Sequence, residues 1–158
     1  MEHLNYMKQA LVQAKRAYKH HEVPIGAIVV NAAGVIIGRG YNQVEKKKQQ
    51  LAHAEIRAIT QACRKLGDWR LDGCWIYVTL EPCALCMNLI LLSRIHGLAF
   101  GASSPLFGYK LDNRWPLQVY RRNTLEIISG IALQESAALL KNFFKERRIS
   151  SERGKKNN

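Results

Sequence analysis

His53, Ala54 and Glu55, followed further along the chain by Pro82, Cys83, Ala84, Leu85 and Cys86, offer an imidazole, a carboxylate and two thiols at metal-ligand spacing. Such a set could hold a zinc ion, which takes Cys sulfur and His nitrogen readily. A structural site fills four protein positions, whereas a catalytic one leaves a position for water. Ligand count therefore separates scaffold from enzyme. If His53, Cys83 and Cys86 were ligands, a fourth would be hard to find. On a helix running from His53 to about Leu66, Cys63 would lie roughly 15 Å down the axis, in phase with Ile56, Ile59 and Leu66 in a core stripe. Cys74 precedes the apolar run Trp75–Leu80 and, on a strand, would stand about 20 Å from the end that leads to Cys83. Both read as small buried residues. His96 lies beyond the helix that should follow Cys83, while His3, His20 and His21 lie on or just after an N-terminal amphipathic segment. An open coordination position is the better inference.

These side chains need elements to aim them. Cys83 and Cys86 would share a face in the first turn of a helix. Pro82 suits that start, because the first amides of a helix have no intrahelical partner. The positive end of the helix also favours thiolate over thiol. Glu55 is harder to place, since residues two apart in a regular helix point about 200° away from each other. His53 must then sit at the helix edge, with its backbone not yet helical, so that imidazole and carboxylate can reach one region. Taken alone, Glu55 would simply complement the helix dipole. Beside two thiols, general acid and base chemistry is the stronger reading.

Around this motif the periodicity predicts alternating helix and strand. Leu4, Met7, Leu11 and Tyr18 mark one face of a first helix. Ile25 to Val30 and Val35 to Gly40 form a hairpin across Asn31, Ala32, Ala33 and Gly34. Helices over 53–66 and 83–92 flank a buried strand over 75–80, and a further strand covers 95–101. A loop from Ser103 to Pro116 interrupts the pattern. A short strand near Leu125 to Ile128 then leads to a last helix from about Ile131 to Arg148. The sum is an α/β domain over residues 4–148, with a central mixed sheet of about five strands and helices on both faces. The basic tail over 149–158 is expected to be disordered.

A chain of 158 residues suits one domain with a proper core. No apolar stretch approaches a membrane span, because the run Leu89 to Leu92 stops at Ser93 and Arg94. Met1 to Lys19 spaces its apolar residues among Lys, Gln and Arg, unlike a signal peptide. A cytoplasmic protein is expected, in which four cysteines serve metal binding in preference to disulfides. Against 12 Asp and Glu stand 24 Lys and Arg, a formal charge of +12. Lys141 to Asn158 carries much of the excess, and Lys46, Lys47 and Lys48 form a smaller cluster. Such runs are commonly solvated surface; beside a chemical site they read as a footprint for nucleic acid.

The residues resemble those of the bacterial tRNA-specific adenosine deaminases, within the cytidine deaminase superfamily. His53-Ala54-Glu55 and Pro82-Cys83-Ala84-Leu85-Cys86 match the zinc deaminase signature. Glu22-Val23-Pro24-Ile25-Gly26-Ala27, Gly40-Tyr41-Asn42, Thr79-Leu80-Glu81 and Phe100-Gly101-Ala102 look like successive family blocks. The resemblance implies a cytidine deaminase-like fold, with Zn2+ on His53, Cys83 and Cys86 and with Glu55 moving protons. The implied reaction is hydrolytic deamination of the wobble adenosine to inosine in a tRNA anticodon loop. Asn42 would hydrogen-bond the target nucleoside, and Lys145, Arg147 and Arg148 would contact RNA phosphates beside Phe143 and Phe144, at least one of which belongs to the core. The family also implies a homodimer. A deaminase of free guanine or cytosine-type bases would share every zinc residue, but a small neutral substrate needs no basic footprint. One departure stands out. After Phe100-Gly101-Ala102 the family commonly has a basic and an acidic residue, then a loop with Lys and Gly, where this chain reads Ser103-Ser104-Pro105-Leu106-Phe107-Gly108-Tyr109.

Overall fold

The computed structural model describes residues 2–111 and 125–156. Helix α1 (Glu2–Lys19) leads into strands β1 (Gly26–Val30) and β2 (Ile36–Tyr41). A short helix α2 (Val44–Lys47) and a 3-10 turn (Gln50–Ala52) then precede α3 (Ala54–Leu66). Strand β3 (Trp75–Leu80), helix α4 (Ala84–Leu92) and strand β4 (Gly97–Ala102) follow, and β5 (Glu126–Ser129) and α5 (Leu133–Lys156) complete the order. The sheet runs β2-β1-β3-β4-β5. Its β2/β1 and β1/β3 pairs are antiparallel, and its β3/β4 and β4/β5 pairs parallel. This is the five-stranded mixed sheet expected from the periodicity.

The alternation of side chains along each strand divides the core into two layers. On one face Ala27, Val29, Ile76, Val78, Leu98 and Phe100 pack against Ala54, Ala58 and Ala62 of α3 and Met87 and Ile90 of α4. On the other, Ile28, Val30, Tyr77 and Ala99 meet Met7 and Ala10 of α1. Helix α5 shares this second face, where Phe143 meets the Tyr18 ring edge-on at 5.7 Å. Helices thus cover both faces.

The layers are closest where β2 passes under α3. A Cβ at Gly40 would collide with the Ala54 carbonyl, and one at Gly38 with that of Ala58. Glycine within a strand marks such backbone approach. The contact fixes the start of α3 over the end of β2, and the Gln43 amide, one residue past Asn42, donates to the carbonyl of Ala52, one residue before His53, at 3.0 Å.

Two expectations are corrected. Cys83 is the N-cap of α4, with φ −72° and ψ 169°, so Pro82 stands one residue before the cap and not at the first helical position. Helix α5 continues past Arg148 to Lys156, because 149–153 contains no proline and the Ser150 hydroxyl donates back to the Glu146 carbonyl at 3.0 Å. The segment 44–52, expected only as a lysine cluster, forms α2 and a 3-10 turn. The loop expected from Ser103 to Pro116 is described as far as Leu111, and its remainder lies outside the described residues.

Candidate active site

Two helix N-termini meet at one end of the sheet. His53 caps α3 in an extended conformation, φ −65° and ψ 150°, as the spacing of His53 and Glu55 required. Its imidazole therefore leaves the helix line while Glu55 sits in the first turn. Cys83 caps α4 in the same way, and Cys86 follows inside its first turn. The His53 Nδ1 lies 3.7 Å from Cys83 Sγ and 3.4 Å from Cys86 Sγ. All three donor atoms fall within 4.8 Å of one another.

Those distances can be tested against a metal. Zinc bonds of about 2.3 Å to sulfur and about 2.0–2.1 Å to nitrogen, at tetrahedral angles, put N and S roughly 3.6 Å apart. The observed spacings straddle that value without rearrangement. Cys63 and Cys74 stay apart from the group: Cys74 is buried in the core, and the Cys63 thiol faces the Trp69 carbonyl at 3.7 Å. Among the described residues, His53, Cys83 and Cys86 alone form a cluster able to hold a metal ion. A fourth protein ligand is lacking there, so an ion would keep an open position. A cavity of about 400 Å³, lined by His3, Tyr6, Trp75 and Tyr77, lies at the start of β3 and plays no part in this chemistry.

The electrostatics of the group favour cation binding. Hydrogen bonds from Cys86 and then His53 pull the Cys83 thiol down to about 4. The same pairing, with burial, pushes the Cys86 thiol far up. The hydrogen bond with Cys83 raises His53 against the effect of burial. A metal ion would replace these shared protons. Glu55 is 4% exposed. Burial raises its carboxyl, opposed by its own amide, by His53 and by a hydrogen bond from the Cys86 thiol. A buried carboxyl that resists ionisation beside a metal cluster can both take and return a proton.

Asn42 is buried, with its backbone N–H donating to the Ile25 carbonyl at 3.0 Å. It therefore lies at the same end of the sheet. Lys145, Arg147 and Arg148 are exposed on α5, which packs with α1 on the sheet face opposite α3 and α4. Phe143 is the core aromatic and Phe144 is 46% exposed.

Sequence reasoning missed two buried carboxylates beside this site, seen there only as members of resembling blocks. Glu22 accepts the Glu45 and Lys46 amides at 3.1 and 2.7 Å, capping α2. Glu81 accepts the Ser104 amide at 3.0 Å and the Lys110 amide at 3.4 Å. With the Tyr109 amide donating to the Pro82 carbonyl at 2.9 Å, it fixes the departing loop against the residues that lead into α4. The available signal was a carboxylate amid apolar neighbours directly before Pro82.

Comparisons with known proteins agree with this geometry. The family model described as MafB19-like deaminase matches residues 1–148. The tRNA-specific adenosine deaminase of Bacillus subtilis (strain 168) is 42% identical over 153 residues, spanning 96% of this chain and 94% of that protein. The chloroplastic tRNA(adenine(34)) deaminase of Arabidopsis thaliana is 44% identical over 110 residues, 70% of this chain but 8% of that much longer protein. A solved structure from work on A-to-I editing by tRNA:A34 deaminases at the wobble position of transfer RNA superposes with a TM-score of 0.77 at 37% identity. It covers 86% of this chain and 99% of its own.

Proposed function

The chain belongs to the MafB19-like deaminase family and groups with the tRNA-specific adenosine deaminases; from that premise we propose that it converts the wobble adenosine of a tRNA anticodon loop to inosine by hydrolysis. The observation that carries the reading is the convergence of His53, Cys83 and Cys86 beside the buried Glu55, at the N-termini of two helices.

His53, Cys83 and Cys86 are proposed to hold Zn2+, and the deaminase unit to span residues 4–148. A zinc ion bound there supplies Lewis-acid activation of water at neutral pH. Glu55 would take a proton from the attacking water and pass it to the purine ring as the water oxygen bonds to the carbon bearing the amino group. It would then take the remaining proton from the newly added hydroxyl and deliver it to the amino group, which leaves as ammonia as the carbon–nitrogen bond breaks and the carbonyl forms. Adenosine and water become inosine and ammonia. Asn42, buried at the end of β2, hydrogen-bonds the target nucleoside. An unpaired loop base can be turned into such a pocket at lower cost than a base in a duplex.

Lys145, Arg147 and Arg148 are proposed to contact phosphates, which position the substrate without reading sequence. The net charge of +12 supports an RNA partner. Homodimer formation is supported by Leu51, Leu85, Leu106 and Phe107, between 48% and 75% exposed in segments that border the site. A cytoplasmic location accords with the tRNA substrate. No described helix is long and apolar enough to cross a membrane.

The test is incubation of zinc-loaded protein with an anticodon stem-loop carrying a wobble adenosine, followed by nucleoside analysis. Inosine at that position is expected. Ammonia released from free guanine or cytosine-type bases, with no inosine in the RNA, would replace the reading with a small-molecule deaminase.

A further inference from the structure

Tyr41 immediately precedes Asn42 on the edge strand β2, and cationic side chains gather around its ring. The Arg16 guanidinium, from α1, lies 5.1 Å from the ring centroid, and that of Arg57, from α3, lies 5.8 Å away. His20 stacks on the ring at 5.9 Å with an 18° interplanar angle. Helices α1 and α3 cover opposite faces of the sheet, so the two arginines converge around its free edge. Cation–π attraction holds each guanidinium near the ring.

The arginines lack what a structural cluster of this kind would have. Neither forms an ion pair among the described residues, where the pairs are Arg70 with Asp68 and His96 with Glu126. Among the described residues, the Arg16 guanidinium donates to the neutral Gln13 amide oxygen, at 3.3 Å, and to no carboxylate. The Arg57 Nε is buried without a hydrogen-bond partner among the described residues. An unsatisfied buried donor is costly, and two guanidiniums with no carboxylate between them present forked donors suited to phosphate oxygens.

Position supplies the rest. Arg57 lies one helical turn from His53, and its amide donates to the His53 carbonyl at 3.2 Å. The Lys46–Lys48 run follows Asn42 closely, held by the Glu22 carboxylate just after α1. We infer that Arg16 and Arg57, gathered at Tyr41, bind backbone phosphates of the nucleotides flanking the target adenosine. They would begin a basic track that continues along Lys46–Lys48. This inference rests on the proposed RNA substrate and adds to it the side on which the strand enters. Arg70 and Arg94 over Trp69, at 4.6 and 5.3 Å, form a comparable cluster near the far end of α3 and serve as the contrast.

The experiment measures binding of the full-length, zinc-loaded protein to a labelled anticodon stem-loop at several salt concentrations, with inosine formation followed in parallel. The R16Q/R57Q double variant should bind about tenfold more weakly at low salt. Its slope of log K against log salt should be shallower by about 1.4, at ~0.7 for each single-strand phosphate released. Its kcat at saturating RNA should stay within about twofold of wild type, since binding contacts outside the reacting centre act on KM. Y41F, which keeps the ring, should match wild type, and Y41L should reproduce part of the loss. R70Q removes one charge from the contrasting cluster and should leave the slope unchanged. An unaltered slope in R16Q/R57Q, or a matching change in R70Q, overturns the assignment. Wild-type protein that binds the stem-loop yet forms no inosine overturns the deamination reading instead, and the slopes still decide the phosphate site.

Discussion

His53, Cys83 and Cys86 are coupled through shared protons, and the direction of each shift determines how a metal should bind. Cys83, pulled down to about 4, is already thiolate at neutral pH, whereas Cys86 is held as thiol by Cys83 and by burial. Zinc uptake must therefore remove a proton from Cys86 and from whatever fraction of His53 is charged, so affinity rises with pH. Calorimetry at pH 7 in buffers of different ionisation enthalpy should report release of about one to two protons per ion; none released would contradict the ligand set. Chelation should abolish activity and zinc restore it, while C63S should keep its metal. Most of this was legible beforehand, because the residue types limit the chemistry and Glu55 two residues after His53 forces an extended cap. Glu22 and Glu81 were not legible in their roles. Their partners are backbone amides at Glu45 and Lys46 and at Ser104 and Lys110, and any residue type except proline supplies an amide.

At the scale of elements, the site depends on where α3 begins, and the contact of Gly40 with the Ala54 backbone sets that point. G40A should destabilise the fold by about 1–3 kcal/mol through overpacking. It should reduce activity further than stability alone explains, because displacing α3 moves His53 and Glu55 together. Thermal melting and turnover on the same preparation measure both. The last helix offers a second contrast. F143A, in the core against Tyr18, should cost about 3–5 kcal/mol, and F144A, about half exposed, distinctly less. Equal losses in a denaturant titration would mean that α5 packs differently. Periodicity identified these elements, but caps decided their ends: a continuous pattern cannot reveal that Cys83 is extended and Ala84 helical. The short α2 escaped notice because four residues carry no periodic signal, and a distant carboxylate, Glu22, supplies its cap.

For the whole molecule, topology gathers the chemistry at one end. The start of β1, the ends of β2, β3 and β4, the end of α1 and the N-termini of α3 and α4 all lie there, tied by the Gly26 amide donating to Thr79 Oγ1 at 3.1 Å. The basic part of α5 reaches the same end, since Phe143 packs on Tyr18 near the close of α1. Composition could announce a charge of +12 but not its distribution, which depends on which helices share a face. Exchanging Lys145, Arg147 and Arg148 for Gln should weaken stem-loop binding and reduce the salt slope by about 0.7–0.9 for each phosphate left without its cation, with kcat unchanged. A flat salt response in the wild type would remove the RNA footprint altogether.

The most direct test of the central claim compares single-turnover inosine formation by wild type and E55Q on a stem-loop with a wobble adenosine, with zinc content measured in both. Glu55 is buried beside the cluster without belonging to it, so E55Q should retain one zinc per chain and lose about 10²- to 10⁴-fold in rate, the range typical of a lost general acid and base. A zinc-loaded E55Q that forms inosine at the wild-type rate would contradict the proton-transfer role of Glu55 and the mechanism built on it.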